Sequence, residues 1–95
     1  MDIEDLTVES EDVELEATIE DIEVPRVVSG KYGQKKITVA ELEDGTGEIQ
    51  VTLWEEQIDA VEEGETVKVE GAYTRDWAGE LQLNIPRDGS IEVLE

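Results

Sequence analysis

Glu48-Ile49-Gln50-Val51-Thr52-Leu53-Trp54, followed directly by Glu55-Glu56-Gln57-Ile58-Asp59-Ala60-Val61-Glu62-Glu63-Gly64, is the stretch that decides how this chain folds. Ile49, Val51 and Leu53 alternate with Gln50, Thr52 and Trp54, the period-2 pattern of a strand with one face in a core. The period then changes. Ile58 and Val61 stand three apart, acids come early and Gly64 closes the run, so a short helix is expected over residues 55–63.

Working outward, Val13, Leu15, Ala17 and Ile19 alternate with polar residues and predict a long first strand. Ile22 and Val24 continue it one residue out of phase, and such a slip predicts a bulge before Pro25 ends the strand. Ser29-Gly30-Lys31-Tyr32-Gly33 reads as the loop of a wide hairpin. Lys36 to Leu42 forms a second strand and Glu43-Asp44-Gly45-Thr46-Gly47 a tight return. Glu48–Trp54 is the third strand. A fourth starts at Val67 and Val69 and meets Gly71, Leu81, Leu83 and Ile85 make a fifth, and a short strand follows at 91–94. Three strands, a short helix and two strands predict an all-β chain: a five-stranded barrel of the OB type, with its helix between strands 3 and 4. Residues 1–12 read as an acidic lead-in pinned by Ile3 and Leu6, and 13–95 as the single domain.

The chain has 95 residues, no Cys and no His. Disulfides, thiolate zinc sites and imidazole catalysis are therefore excluded. Three serines in tail or loop contexts offer no nucleophile–base pair, so no enzyme is expected. The 27 acids make many carboxylate pairs without any specific one, and turn chemistry explains the Asp44–Glu48 segment better than calcium does. No metal or cofactor is expected. No apolar run approaches the roughly 18 residues of a membrane span, and the chain begins Met1-Asp2-Ile3-Glu4 without a signal pattern. It is read as cytoplasmic.

A formal net charge of −20 argues at first against a polyanionic partner. The charge is uneven, however. Residues 1–25 carry eleven acids and no base, whereas residues 26–40 carry Arg26, Lys31, Lys35 and Lys36 and no acid. Acidity on this scale fits a protein of salty surroundings, where the Debye length falls to about 3 Å at 1 M.

The four aromatics, Tyr32, Trp54, Tyr73 and Trp77, all fall off the apolar phase of their segments. A core of Val, Ile and Leu with aromatics outside suits stacking of unpaired bases, since every base offers a π-face. Covering a barrel end is the alternative use of large aromatics. Lys31, Lys35, Lys36, Lys68 and Arg75 interleave cations with these rings. Pairing with neighbouring acids is the alternative use of such cations, and the expected one for Arg87, while Gln50, Gln82 and Asn84 could hydrogen-bond bases or solvate the sheet.

Glu43-Asp44-Gly45-Thr46-Gly47, Val51-Thr52-Leu53-Trp54, Glu63-Gly64 and Leu81-Gln82-Leu83-Asn84, in that order, resemble the OB domain of the short archaeal single-stranded DNA-binding proteins, relatives of replication protein A. The resemblance runs from about Ile3 to Leu94. It implies that Trp54, Tyr73 and Trp77 stack on single-stranded DNA. Beside them, the charge and polar pattern of the chain marks Arg26, Lys31, Tyr32, Lys35, Lys36, Thr52, Lys68, Arg75, Gln82 and Asn84 as the expected phosphate or base contacts. Tyr73 stands where that family often has Trp, leaving a smaller ring. The implied function is sequence-tolerant binding that protects single strands in replication, recombination or repair. RNA binding, as in anticodon-reading OB domains, and a subunit or interaction role in a larger replication assembly are the alternatives. A monomer is expected in isolation, with replication or repair proteins as further partners.

Overall fold

The computed structural model describes residues 2–31, 33–86 and 88–94, with the Trp77 side chain left out. A 3-10 turn, Ile3–Asp5, precedes seven strands: β1 (Val13–Ile22), β2 (Arg26–Gly30), β3 (Gly33–Glu43), β4 (Glu48–Trp54), β5 (Thr66–Trp77), β6 (Glu80–Asn84) and β7 (Ser90–Val93). One turn of helix, α1 (Glu56–Asp59), lies between β4 and β5.

Pairing runs β1-β3-β4-β6-β5, and β5 returns to β1, so five strands form a closed ring. Closure depends on β1 serving two neighbours. Its first half pairs with β5, from Val13↔Ala72 to Thr18↔Thr66, and its second half with β3, from Thr18↔Glu43 to Ile22↔Ala40. The register slips between Ile19 and Asp21, where the apolar phase of the sequence slips too. A bulge there bends β1 from one neighbour to the other. All ring neighbours are antiparallel except β4 and β6, which are parallel. β7 extends the sheet beside β5, and β2 pairs only with β3.

Inward residues fill the ring. Val13, Leu15, Ala17 and Ile19 of β1 meet Ala40 and Leu42 of β3, Ile49, Val51 and Leu53 of β4, Val67, Val69 and Ala72 of β5, and Leu83 of β6. All are aliphatic, and no described aromatic is buried among them. Two hydroxyls are buried with them. Thr38 Oγ1 donates to the Glu23 carbonyl at 2.6 Å, and Thr74 Oγ1 donates to the Thr7 carbonyl. Each bond removes the cost of an unpaired buried group, about 1–3 kcal/mol.

The N-terminal segment packs on the ring. Ile3 and Leu6 are buried in the core, and the Ile3 N–H donates to Asp44 Oδ2 at 2.8 Å. The other Asp44 oxygen accepts from the Thr46 N–H at 2.8 Å, the Thr46 hydroxyl at 2.6 Å and the Gly47 N–H at 3.3 Å. Partial burial pushes the Asp44 pKa up, but these donors outweigh it and hold the carboxyl below its ordinary value.

Three expectations need correction. Ser29 and Gly30 belong to β2 and Gly33 opens β3, so the wide loop is instead a regular hairpin laddered from Arg26↔Ile37 to Gly30↔Gly33. The helix is one turn rather than nine residues, although Ile58 and Val61 are both buried as their spacing implied. Val24, expected on the apolar phase of the first strand, is 89% exposed, because the chain has left β1 by then.

Candidate nucleic-acid interface

Strand alternation puts Thr52 and Trp54 on the outer surface of β4, with Gln50 beside them. β5 reaches the same surface through a change of phase. Val67 and Val69 are buried, then Ala72 and Thr74 are, and the switch falls at Gly71, φ +71°. A side chain there would be strained, and its Cβ would stand 3.2 Å from Gly89 Cα. The switch turns Tyr73 and Arg75 outward. The strand then runs on to Trp77 and returns through Ala78 and Gly79, both at positive φ, as a two-residue turn.

Ladder register lines these residues up in rows. Val39, Thr52, Asn84 and Tyr73 form one row across β3, β4, β6 and β5, and Glu41, Gln50, Gln82 and Arg75 form the next. Gln82 Nε2 donates to Gln50 Oε1 at 3.2 Å within the second. On the other side of the first row, Ile37 pairs with Trp54 and Arg26 with Ile37.

Trp54 and Tyr73 are 40% and 38% exposed, and both line a hollow of about 500 Å³. Its walls are Lys35, Arg75, Asn84, Ile85 and Pro86, with Glu55, Glu56 and Gln57 at the rim of α1. The end of β4 is held from two sides. Gln57 Oε1 accepts the Trp54 N–H at 3.0 Å, and Glu55 and Lys36 exchange two bonds, Glu55 N–H to the Lys36 carbonyl at 2.9 Å and Lys36 N–H to Glu55 Oε1 at 3.2 Å. These contacts fix where the Trp54 ring departs from the sheet.

Electrostatically the outer surface is divided. Arg26, Lys35, Lys36 and Arg75 make no ion pair among the described residues, in a chain where acids outnumber bases by 27 to 7. From the second row onward, Glu41, Glu48 and Glu80 line a separate acidic hollow. The Glu41 carboxyl is held above its ordinary range by its hydrogen bond to Glu48 and the repulsion of Glu48, with Asp21 and Glu20 adding to it.

The structure thus brings together Trp54, Tyr73, Lys35, Arg75, Thr52, Asn84 and Gln82 on one surface. Arg26 shares the side of the β2–β3 hairpin that continues it, while alternation puts Lys36 on the other side. Lys31 sits in the hairpin turn. Lys68 is not brought to this surface. It lies on β5 before the Gly71 switch, against Glu14 at 3.3 Å and Glu70 at 3.7 Å, and those acids raise its pKa. Trp77 occupies the last backbone rung of the β5–β6 hairpin, opposite Glu80. Its side chain, and Tyr32 and Arg87 altogether, lie outside the described residues. Ile85, Pro86 and Gln57 also wall the hollow, although the strand pattern marks Ile85 only as core and neither strand nor charge pattern singles out Pro86 and Gln57. Pro86 just past the fifth strand, and Gln57 three residues after Trp54, are the signals that the sequence offers for them.

A closed five-stranded ring with exposed aromatics and cations on one surface defines a class: the chain belongs to the family of OB-fold nucleic acid binding domains of the tRNA anti-codon group, which matches residues 13–94. A curated relative is the single-stranded DNA binding protein Ssb of Saccharolobus solfataricus, 37% identical over 59 residues, which are 62% of this chain and 40% of that protein. Among solved structures, the replication factor A related protein of Methanobacterium thermoautotrophicum superposes with a TM-score of 0.83 at 22% identity, covering 100% of this chain and 90% of that one. A chain of a replication protein A heterotrimer bound to ssDNA gives 0.80 at 19% identity, covering 98% of this chain and 24% of that one. At these identities the two structures speak to the fold alone. Among the described residues no helix is long and apolar enough to cross a membrane.

Proposed function

We propose that this domain binds single-stranded DNA with little sequence preference, laying the strand over Trp54 and Tyr73. The observation that carries this is the hollow itself. Two half-exposed rings stand beside Lys35 and Arg75, and these cations have no acidic partner among the described residues of a chain rich in acids. Stacking accepts any base, and unpaired cations accept phosphate. The likeness to a single-stranded DNA binding protein supports the same reading. Trp77, on the hairpin that carries Tyr73, is the third stacking candidate. In the cell such binding protects single strands during replication, recombination or repair.

The charge of −20 adds a condition. Binding to a polyanion ordinarily weakens as salt rises, through counterion release. Here salt also screens the repulsion between the protein's acids and the strand, over a Debye length that shrinks from about 10 Å at 0.1 M to 3 Å at 1 M. The two effects oppose each other. Titrating intrinsic Trp fluorescence with oligo-dT at low and molar salt is expected to show quenching with an affinity that holds or improves. Absence of quenching at every salt would refute binding, and a steep monotonic decline would refute the adaptation to salt.

A further inference from the structure

We infer that the open edge of β2 is a docking strand for an extended protein segment in which acidic and apolar residues alternate. β2 pairs with β3 and with nothing else among the described residues, so the backbone groups on its outer edge have no strand partner. The hairpin stands clear of the ring, with four of the five β2 residues exposed and residues 33–36 of β3 exposed as well. Two strands alone are marginal in water, and a third adds the ladder and the side-chain packing that they lack. The edge also carries apolar surface that the nucleic-acid hollow does not use: Val27 is 61% exposed, and Val24 three residues earlier is more exposed still.

Charge selects the partner. The Arg26 and Lys36 side chains make no ion pair among the described residues, and residues 26–40 contain no acid. Alternation puts Arg26, Val28 and Lys35 on one side of the hairpin and Val27 and Lys36 on the other. A segment added along β2 lies directly beside Arg26, Val27 and Val28, with Lys35 and Lys36 one strand further in on the two sides. Opposite charges and apolar side chains across a ladder contribute roughly 0.2–1 kcal/mol per pair. A nucleic acid would satisfy the cations but would leave the strand edge and Val27 unused, so an extended peptide fits better.

The test uses the whole chain, labelled with 15N, and a twelve-residue peptide alternating Glu with Val and Thr, with a Lys-for-Glu peptide as control. The acidic peptide is expected to shift and protect the amides of Val27 to Ser29, and the control is not. Val27→Glu is expected to weaken the peptide about fivefold or more while oligo-dT affinity stays unchanged, since Val27 lies on the hairpin side away from Trp54. The inference is overturned if millimolar peptide leaves the β2 amides unmoved. Shifts at Trp54 and Tyr73 in their place, or a loss of oligo-dT affinity in Val27→Glu, would overturn it equally.

Discussion

Replacing Trp54 and Tyr73 by alanine, singly and together, probes whether each ring holds its own base. Along the sheet the two positions are separated by two strand spacings and two residues of rise. At about 4.8 Å per strand and 3.3 Å per residue this amounts to roughly 12 Å over the surface. This backbone separation is several times the roughly 3.4 Å spacing of stacked bases, so the two rings are expected to take different nucleotides. Each truncation is expected to cost about 1–3 kcal/mol, a loss of about 5- to 150-fold. Sites this far apart add to within about 0.5 kcal/mol. The double variant should therefore lose the product of the two single factors. Anisotropy of a labelled oligo-dT reads this without depending on the Trp that is removed, and circular dichroism verifies the fold. A double variant no weaker than the worse single one would refute the two-base arrangement, and singles at wild-type affinity would refute stacking.

Three further outcomes follow from the same geometry. Truncating Arg26 and Lys35 should lower the affinity for oligo-dT and reduce the salt slope by about one for each phosphate no longer neutralised, whereas Lys68→Ala should leave both unchanged; equal effects would show that the strand does not follow the Trp54 side. Asp44→Ala should destabilise the fold by about 1–3 kcal/mol in urea titrations, through loss of its bonds to Ile3, Thr46 and Gly47. Because the folded Asp44 pKa is lowered, its contribution is complete above the ordinary carboxylate range and disappears as pH falls through the folded value, so the two proteins should converge in acid. Glu41 has the opposite sign. Its raised folded pKa means that ionisation works against the fold as pH rises from the ordinary value through the folded one. Glu41→Gln should therefore raise the melting temperature at neutral pH, and the gain should fade on acidification.

Core strands were legible because burial writes a period of two into the sequence. The alternation of β1 and β4, and the slip that marks the β1 bulge, match the observed registers. The β2–β3 hairpin was legible as a hairpin but not in its extent, since a two-stranded ribbon outside the core buries neither face, and Ser29, Gly30 and Gly33 read as loop rather than as the ends of its strands. Beyond Gly71 the phase of β5 was lost for a different reason. One residue at positive φ reverses which side chains point inward, so Ala72 and Thr74 became core and Tyr73 and Arg75 surface. Trp54 could be put on the outer face from its own strand. That Tyr73, Lys35 and Asn84 share its hollow depends on pairings between strands far apart in sequence, which no local pattern carries.

The most direct test of the nucleic-acid surface is an amide and side-chain shift map of the 15N-labelled domain titrated with oligo-dT. The perturbations are expected at Thr52, Trp54, Tyr73, Arg75 and Asn84, with the Glu14–Lys68–Glu70 side unmoved. Shifts concentrated on that opposite side, or scattered evenly over the ring, would contradict the assignment of the strand to the outer surface of β4, β6 and β5.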